Sequence, residues 1–313
     1  MKRFLVGLVQ VFLVSVCAAA TVDAAKVALY DLQSVQDVLI AVGEQGAILR
    51  SLDQGRTWQA TVPVVGRALT ALAFADATHG VAVGHGGTVL RTADAGATWV
   101  KVPLPDAGTD ALLGVTALRD GRFIAYGAFG LYLESADAGV TWVRKKPVAP
   151  DFDRHISKVI ESGDRLLLVG ESATLAVSSD GGASWKNLKS PYEGSLFGAL
   201  VMRDGAWLIY GMRGNVYRST DAGNAWTKVA FPATVAINGG SVSADGRVVL
   251  VGNNGVLATS ADNGNSFVAG NVPQRAPLAQ ATYTRDGGLV YVGYIATGRK
   301  EGKALPHPGA NGP

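Results

Sequence analysis

Carboxylates recur in this chain with a regularity that acid–base chemistry could exploit if they converged. Asp53, Asp94, Asp137, Asp180, Asp221 and Asp262 each stand in the pattern Ser or Thr, any residue, Asp, any residue, Gly. Each is followed by an aromatic in a fixed slot: Trp58, Trp99, Trp142, Trp185, Trp226 and Phe267. An acid repeated from unit to unit is a poor catalyst, because a catalytic pair is made once. It is a good turn residue: Asp and Ser side chains accept backbone N–H bonds, and Gly supplies a backbone conformation other residues resist. Outside these repeats, Asp151 or Asp153 with Glu171 or Glu193 could form the two carboxylates of glycoside hydrolysis, which need a separation of roughly 5 to 9.5 Å. His155 near Asp153 invites a hydrolase reading, but no Gly-x-Ser-x-Gly elbow accompanies it. Four histidines, with His79 in a turn and His307 in the tail, leave no clustered zinc ligands. Glycine-rich loops such as Gly84-His85-Gly86-Gly87 follow strands without opening helices, so they do not cradle phosphate. We expect no catalytic residue, no metal and no cofactor.

The elements that position these residues are themselves repeated. An aliphatic residue or tyrosine followed by glycine recurs at Val42-Gly43, Val83-Gly84, Tyr126-Gly127, Val169-Gly170, Tyr210-Gly211, Val251-Gly252 and Val292-Gly293. Around these marks lie short apolar or alternating runs bounded by turn residues, about four strands per unit, lettered A to D. In the second unit they read 69–74, 81–84, 89–92 and 99–102, and in the first the A strand falls near 28–33. Asp120-Gly121, Asp204-Gly205, Asp245-Gly246 and Asp286-Gly287 suit two-residue A to B hairpins. Units of about 42 residues with four strands bury their faces by stacking around an axis. The expected fold is all-β, a seven-bladed β-propeller with four-stranded antiparallel blades over residues 26–298. The last blade is incomplete, because the seventh unit lacks the acidic element. Residues 299–313 read as a disordered Gly/Pro-rich tail.

Antiparallel strands put the A–B and C–D turns at one rim and the B–C and D–A loops at the other. Variable loops on a rigid repeat are where function usually sits, so the second rim is the candidate binding face. Arg67, Arg154, His155, Arg213, Arg275, Tyr192 and Phe129 fall on it. Arginine beside aromatics is what protein recognition sites use.

Lys2 and Arg3, an apolar run from Phe4 to Val16 and small residues at Ala18 to Ala20 read as a signal peptide over residues 1–25, cleaved near 20–25. The run is too short to span a bilayer, so no stable membrane span is expected after cleavage. Cys17 is the only cysteine. Val14-Ser15-Val16 before it resembles a lipoprotein processing box, with Val16 bulkier than that position takes. Without Lys2 and Arg3, 26 basic residues face 25 acidic ones, a balance that disfavours nucleic-acid binding. The expected compartment is the periplasm, with the thylakoid lumen or the extracellular space as alternatives.

The repeated acidic element resembles the Asp box, or bacterial neuraminidase repeat, which in that family forms the C–D turn with its aromatic packed between sheets. Sialidases share these boxes, but they also carry an Arg-Ile-Pro segment, which is absent here. Tyr192 and Glu193 are adjacent, which points their side chains to opposite faces of a strand. Units reading aliphatic-Val-Gly and then Ser-x-Asp-x-Gly-x-Thr-Trp behind a signal peptide are similar to the photosystem II assembly and stability factor propellers. That resemblance implies a non-enzymatic chaperone with an arginine-rich patch, for which Arg67, Arg154 and Arg275 match in loop position. The expected function is an exported, monomeric docking or assembly factor whose partner is a membrane-complex subunit or exporter. The alternative is a carbohydrate-active enzyme or lectin on the same scaffold.

Overall fold

The computed structural model describes residues 21–104 and 108–302. Seven antiparallel sheets follow one another along the chain, each ordered A-B-C-D, and the last has three strands. Blade 1 comprises Leu29–Val35, Val38–Gly43, Ile48–Ser51 and Gln59–Ala60. The A strands of the next five blades are Leu69–Phe74, Leu112–Ala117, Ile156–Ser162, Leu196–Val201 and Ile237–Val242. Blade 7 comprises Leu278–Tyr283, Leu289–Gly293 and Gly298–Lys300. The architecture is the seven-bladed propeller with an incomplete last blade that the repeat predicts.

The B strands are buried on both faces, which explains why they read as continuous apolar runs. Their side chains alternate between two neighbours: Val81 and Val83 pack towards blade 3, whereas Ala82 packs towards blade 1. The core is therefore seven separate apolar clusters, one at each junction between blades. Ring closure uses the same material: Leu32, Leu39, Leu49 and Trp58 of blade 1 meet Val290 and Val292 of blade 7.

Three expectations change. The Asp-Gly hairpins are three-residue loops. Gly121 N–H donates to Leu118 O and Leu118 N–H to Arg122 O. Only Gly121 takes a left-handed φ, +88°, while Asp120 does not. This is a turn closed by a glycine bulge, which needs one left-handed residue where a two-residue hairpin needs two. The propeller also runs past the expected boundary at 298. Gly298–Lys300 is the third strand of blade 7, and the Arg299 side chain is only 7% exposed. Finally, Thr21 bridges Gln59 and Ala24 is buried in the blade 1–blade 7 junction, so the ordered chain begins before residue 26. The apolar leader, Cys17 and the tail from Lys303 onward lie outside the described residues.

Arg299 closes the ring. Its guanidinium donates to Gln54 O in blade 1 at 2.7 Å, to Asp286 at 2.7 Å and to Glu301 at 2.9 Å. Arg91 and Arg218, at the same register in blades 2 and 5, donate to Ala138 O and Asn263 O of the following blade. The closure is thus one more copy of a bond used between consecutive blades. Charged hydrogen bonds contribute about 1.5–3 kcal/mol each, and removing one partner leaves the other exposed to a desolvation cost. Arg299→Ala should destabilise the protein by about 2–4 kcal/mol in urea unfolding, whereas Arg247→Ala, which removes a half-exposed pair with Asp245 and a stack on Tyr283, should cost about 1 kcal/mol.

Candidate functional site

The six acidic turns all lie on the A–B rim, and each makes the same Oδ1 bonds. In blade 2, the Thr92 hydroxyl donates to Asp94 Oδ1 at 2.8 Å and accepts from Gly96 N–H at 3.0 Å. Asp94 Oδ1 accepts from Thr98 N–H at 2.9 Å and Oδ2 from the Thr98 hydroxyl at 2.6 Å. Asp53, Asp137, Asp180, Asp221 and Asp262 repeat the Oδ1 pattern. Ala225 replaces the second hydroxyl in blade 5. Gly96 is required twice over: its φ is +75°, and a Cβ there would come within 2.7 Å of Ile40 in the preceding blade. The aromatic lies alongside, with Trp99, Trp142 and Trp226 each donating Nε1–H to the carbonyl of the turn glycine at 3.1 Å. Every carboxylate is committed to its own turn, so these acids are structural.

These bonds favour the ionised acid. The Ser184 hydroxyl and N–H hold the Asp180 carboxyl down at about 2, and the Ser260 and Ser266 hydroxyls do the same for Asp262. A carboxyl depressed below its usual 3.8 contributes stability that is fully present above that value and lost as pH falls towards 2. Thermal unfolding should therefore show a midpoint that is flat above about pH 5 and drops steeply between about pH 4 and 2. Asp262→Asn should flatten that drop.

The opposite rim carries the predicted binding residues, and the structure gathers four groups of it at the junction of blades 3 and 4. Phe129 tips the B–C loop of blade 3, 60% exposed, and stands edge-on to His155 with ring centroids 5.1 Å apart. His155 Nδ1 lies 3.3 Å from Glu171 Oε2, and its backbone N–H donates to the same oxygen at 3.2 Å. Arg154 donates to Ser172 O at 2.8 Å. The His155–Glu171 pair is solvent-exposed and orients the ring more than it stabilises the fold. A groove of about 420 Å³, lined by Asp151, Phe152, Asp153, Arg154 and Leu188, flanks this cluster on the outer side.

The other predicted residues are dispersed. Arg67 lies over Gly86 in blade 2, Arg213 tips the B–C loop of blade 5, and Arg275 packs its backbone on Gly255 at the blade 6–blade 7 connection. Tyr192 does not project from the face: it folds back over Gly194 and packs on the blade 4–blade 5 core. Sequence reasoning places Tyr294 on this rim but passes over Ile295 beside it, and both are exposed there in blade 7. The missed signal was positional, since Ile295 is two residues beyond the Val-Gly mark, as Phe129 and Arg213 are beyond theirs.

Those tips are strained in the same way. Gln45, Phe129, Ser172, Arg213, Asn254 and Ile295 have φ between +49° and +58°, where blade 2 uses Gly86. A left-handed non-glycine residue costs about 1–2 kcal/mol, so Phe129, Arg213 and Ile295 are retained against the local preference. Phe129→Gly and Arg213→Gly should leave stability unchanged or raise it by up to about 1 kcal/mol while removing surface from the rim. Chemical denaturation of the two variants measures this directly.

A seven-bladed β-propeller, riveted on one rim by acidic turns and presenting aromatic and arginine side chains on the other, is the class that these features define. Residues 119–268 match the family model described as photosynthesis system II assembly factor YCF48. Over that segment, just under half of its length, the chain is similar to this family. No curated protein sequence matches it. Among solved structures it is similar to a YCF48 bound to a D1 peptide, at 17% identity and a TM-score of 0.72, over 91% of this chain and 94% of that one. YCF48 from Cyanidioschyzon merolae aligns at 15% identity and a TM-score of 0.69, over 91% and 99%. A streptogramin B lyase aligns at 12% identity and a TM-score of 0.75, over 88% and 94%. At these identities the likeness is one of fold, shared by assembly factors and enzymes alike.

Proposed function

We propose that this protein is an exported, non-catalytic propeller that docks a protein partner, a membrane-complex subunit or an exporter component, on the rim formed by its B–C and D–A loops. The observation that carries the reading is the Phe129–His155–Glu171 cluster with Arg154 beside it, which lies within the segment matching the assembly-factor family. An exposed aromatic held by a neighbour, with arginine at its edge, is the composition of interface hot spots. That a structurally similar YCF48 is bound to a D1 peptide supports a polypeptide as the ligand class. Export follows from the apolar leader. Of the expected cleavage positions, the one after Ala20 retains Ala24, which the blade 1–blade 7 junction buries.

The carbohydrate-active alternative draws little support from the geometry. Glu171 is engaged by His155, and every acidic-turn carboxylate is used in its own turn. Among the described residues no three His, Cys, Asp or Glu side chains form a metal-binding group, and no helix is long and apolar enough to cross a membrane.

In-cell crosslinking followed by mass spectrometry tests the proposal. Crosslinks to one envelope protein should map to Lys145, Lys146 and neighbouring rim residues, and Phe129→Ala with Arg154→Ala should reduce them at least about tenfold, given that two hot-spot residues carry several kcal/mol. Val268→Ala, on the outer D strand, should leave them unchanged. Crosslinks confined to the acidic-turn rim, or glycan turnover abolished by Glu171→Gln, would overturn the reading.

A further inference from the structure

The axis of the ring holds a polar constellation that the repeat does not require. Seven equivalent A-strand positions, each paired with the residue before a B-strand glycine, face the centre: Asp31, Ala71, Gly114, Lys158, Gly198, Gly239 and Gln280. Five of their B-strand partners are valine, and the other two are Tyr126 and Tyr210, in the blades on either side of Lys158. In those two blades the A-strand residue is glycine. A Cβ at Gly114 would sit 2.2 Å from the Tyr126 ring, and one at Gly198 would sit 2.3 Å from the Tyr210 ring. The two tyrosines thus pass over glycines to reach the axis. Three departures from the repeat, one lysine and two Tyr–Gly pairs, converge on a central cavity of about 170 Å³.

Lys158 is the only cation among the described residues lining that cavity. The Tyr126 phenol and the Asp31 carboxylate favour its charged form against the opposing effect of burial. Asp31, however, spends its oxygens elsewhere: it accepts from Leu32 N–H at 2.8 Å and Leu72 N–H at 3.0 Å, tying blade 1 to blade 2. Lys158 forms no salt bridge with it. The half-buried ammonium has three N–H donors, of which Tyr126 takes one, so donors remain for an anion in the cavity. A monoanion would pair with the ammonium and accept from the Tyr210 hydroxyl, while Tyr126, whose hydroxyl is engaged by Thr116, supplies a wall with Phe197 and Leu200. A dianion would exceed the single charge available and face Asp31.

We propose that this central cavity is a binding site for one carboxylate group, held by Lys158 between Tyr126 and Tyr210. The carboxylate belongs either to a short-chain organic acid or to the free end of a polypeptide. The site stands independently of the rim, because none of its residues contributes to the Phe129 cluster.

Isothermal titration of the full-length protein with sodium acetate, with tetra-alanine and with tetra-alanine amide tests the assignment. Acetate should bind saturably, at least tenfold more weakly to Lys158→Met and three- to tenfold more weakly to Tyr210→Phe. The Tyr210→Phe variant removes only a hydroxyl and keeps the ring on Gly198. If tetra-alanine binds more tightly than acetate and its amide does not bind, the source is a chain end; if acetate alone binds, it is a free acid. Absence of saturable acetate binding to the unmodified protein, or equal acetate affinity in a folded Lys158→Met or Tyr210→Phe variant, would overturn the proposal.

Discussion

Six of the seven junctions between blades depend on one backbone feature, a left-handed turn whose glycine lies flat against the sheet before it. The carboxylate of the turn accepts the N–H groups that such a conformation would otherwise leave unsatisfied, and the aromatic seals the side. Because Gly96 meets Ile40 and Gly139 meets Val81, adjoining sheets approach closely enough to exclude solvent from the seven apolar clusters. Arginines from the C strands of blades 2, 5 and 7 then bond to the carbonyl just before that glycine in the next blade. Turn, core and arginine form a single repeated device, and the binding rim is free to vary because the opposite rim carries the constraint.

Much of this was legible in the chain. The spacing of Val-Gly and Ser-x-Asp-x-Gly marks gave the number of blades, and strand boundaries in blade 2 fall within a residue of the observed 69–74, 80–84, 88–92 and 100–102. The end of the propeller was not legible. Arg299 sits among glycines and lysines that resemble a mobile tail, and only its register opposite Val290, the counterpart of Arg91 opposite Val81, reveals its role. Hairpin type was misread for a related reason. Asp-Gly is compatible with two loop lengths, and the choice depends on where the strands pair, a tertiary matter.

The rim was half legible. Its residues could be assigned to loops, but the fold decides which ones project. Tyr192 has the composition of a binding residue, yet Gly194 leaves space that its ring fills. Tyr126 and Tyr210 stood openly in the repeat as substitutions for valine, and their meaning emerges only with the glycines opposite them.

The seam between blades 7 and 1 also has a kinetic meaning. Arg299 and Gln54 are 245 positions apart, whereas the equivalent bond from Arg91 spans 47. Bringing such distant segments together carries a large loop-closure entropy and is slow compared with forming neighbouring hairpins. The inner blades can assemble progressively while the circle stays open, and sealing comes last. The same joint, where blade 7 has three strands among the described residues, is then the place where the circle first reopens under heat or pulling force.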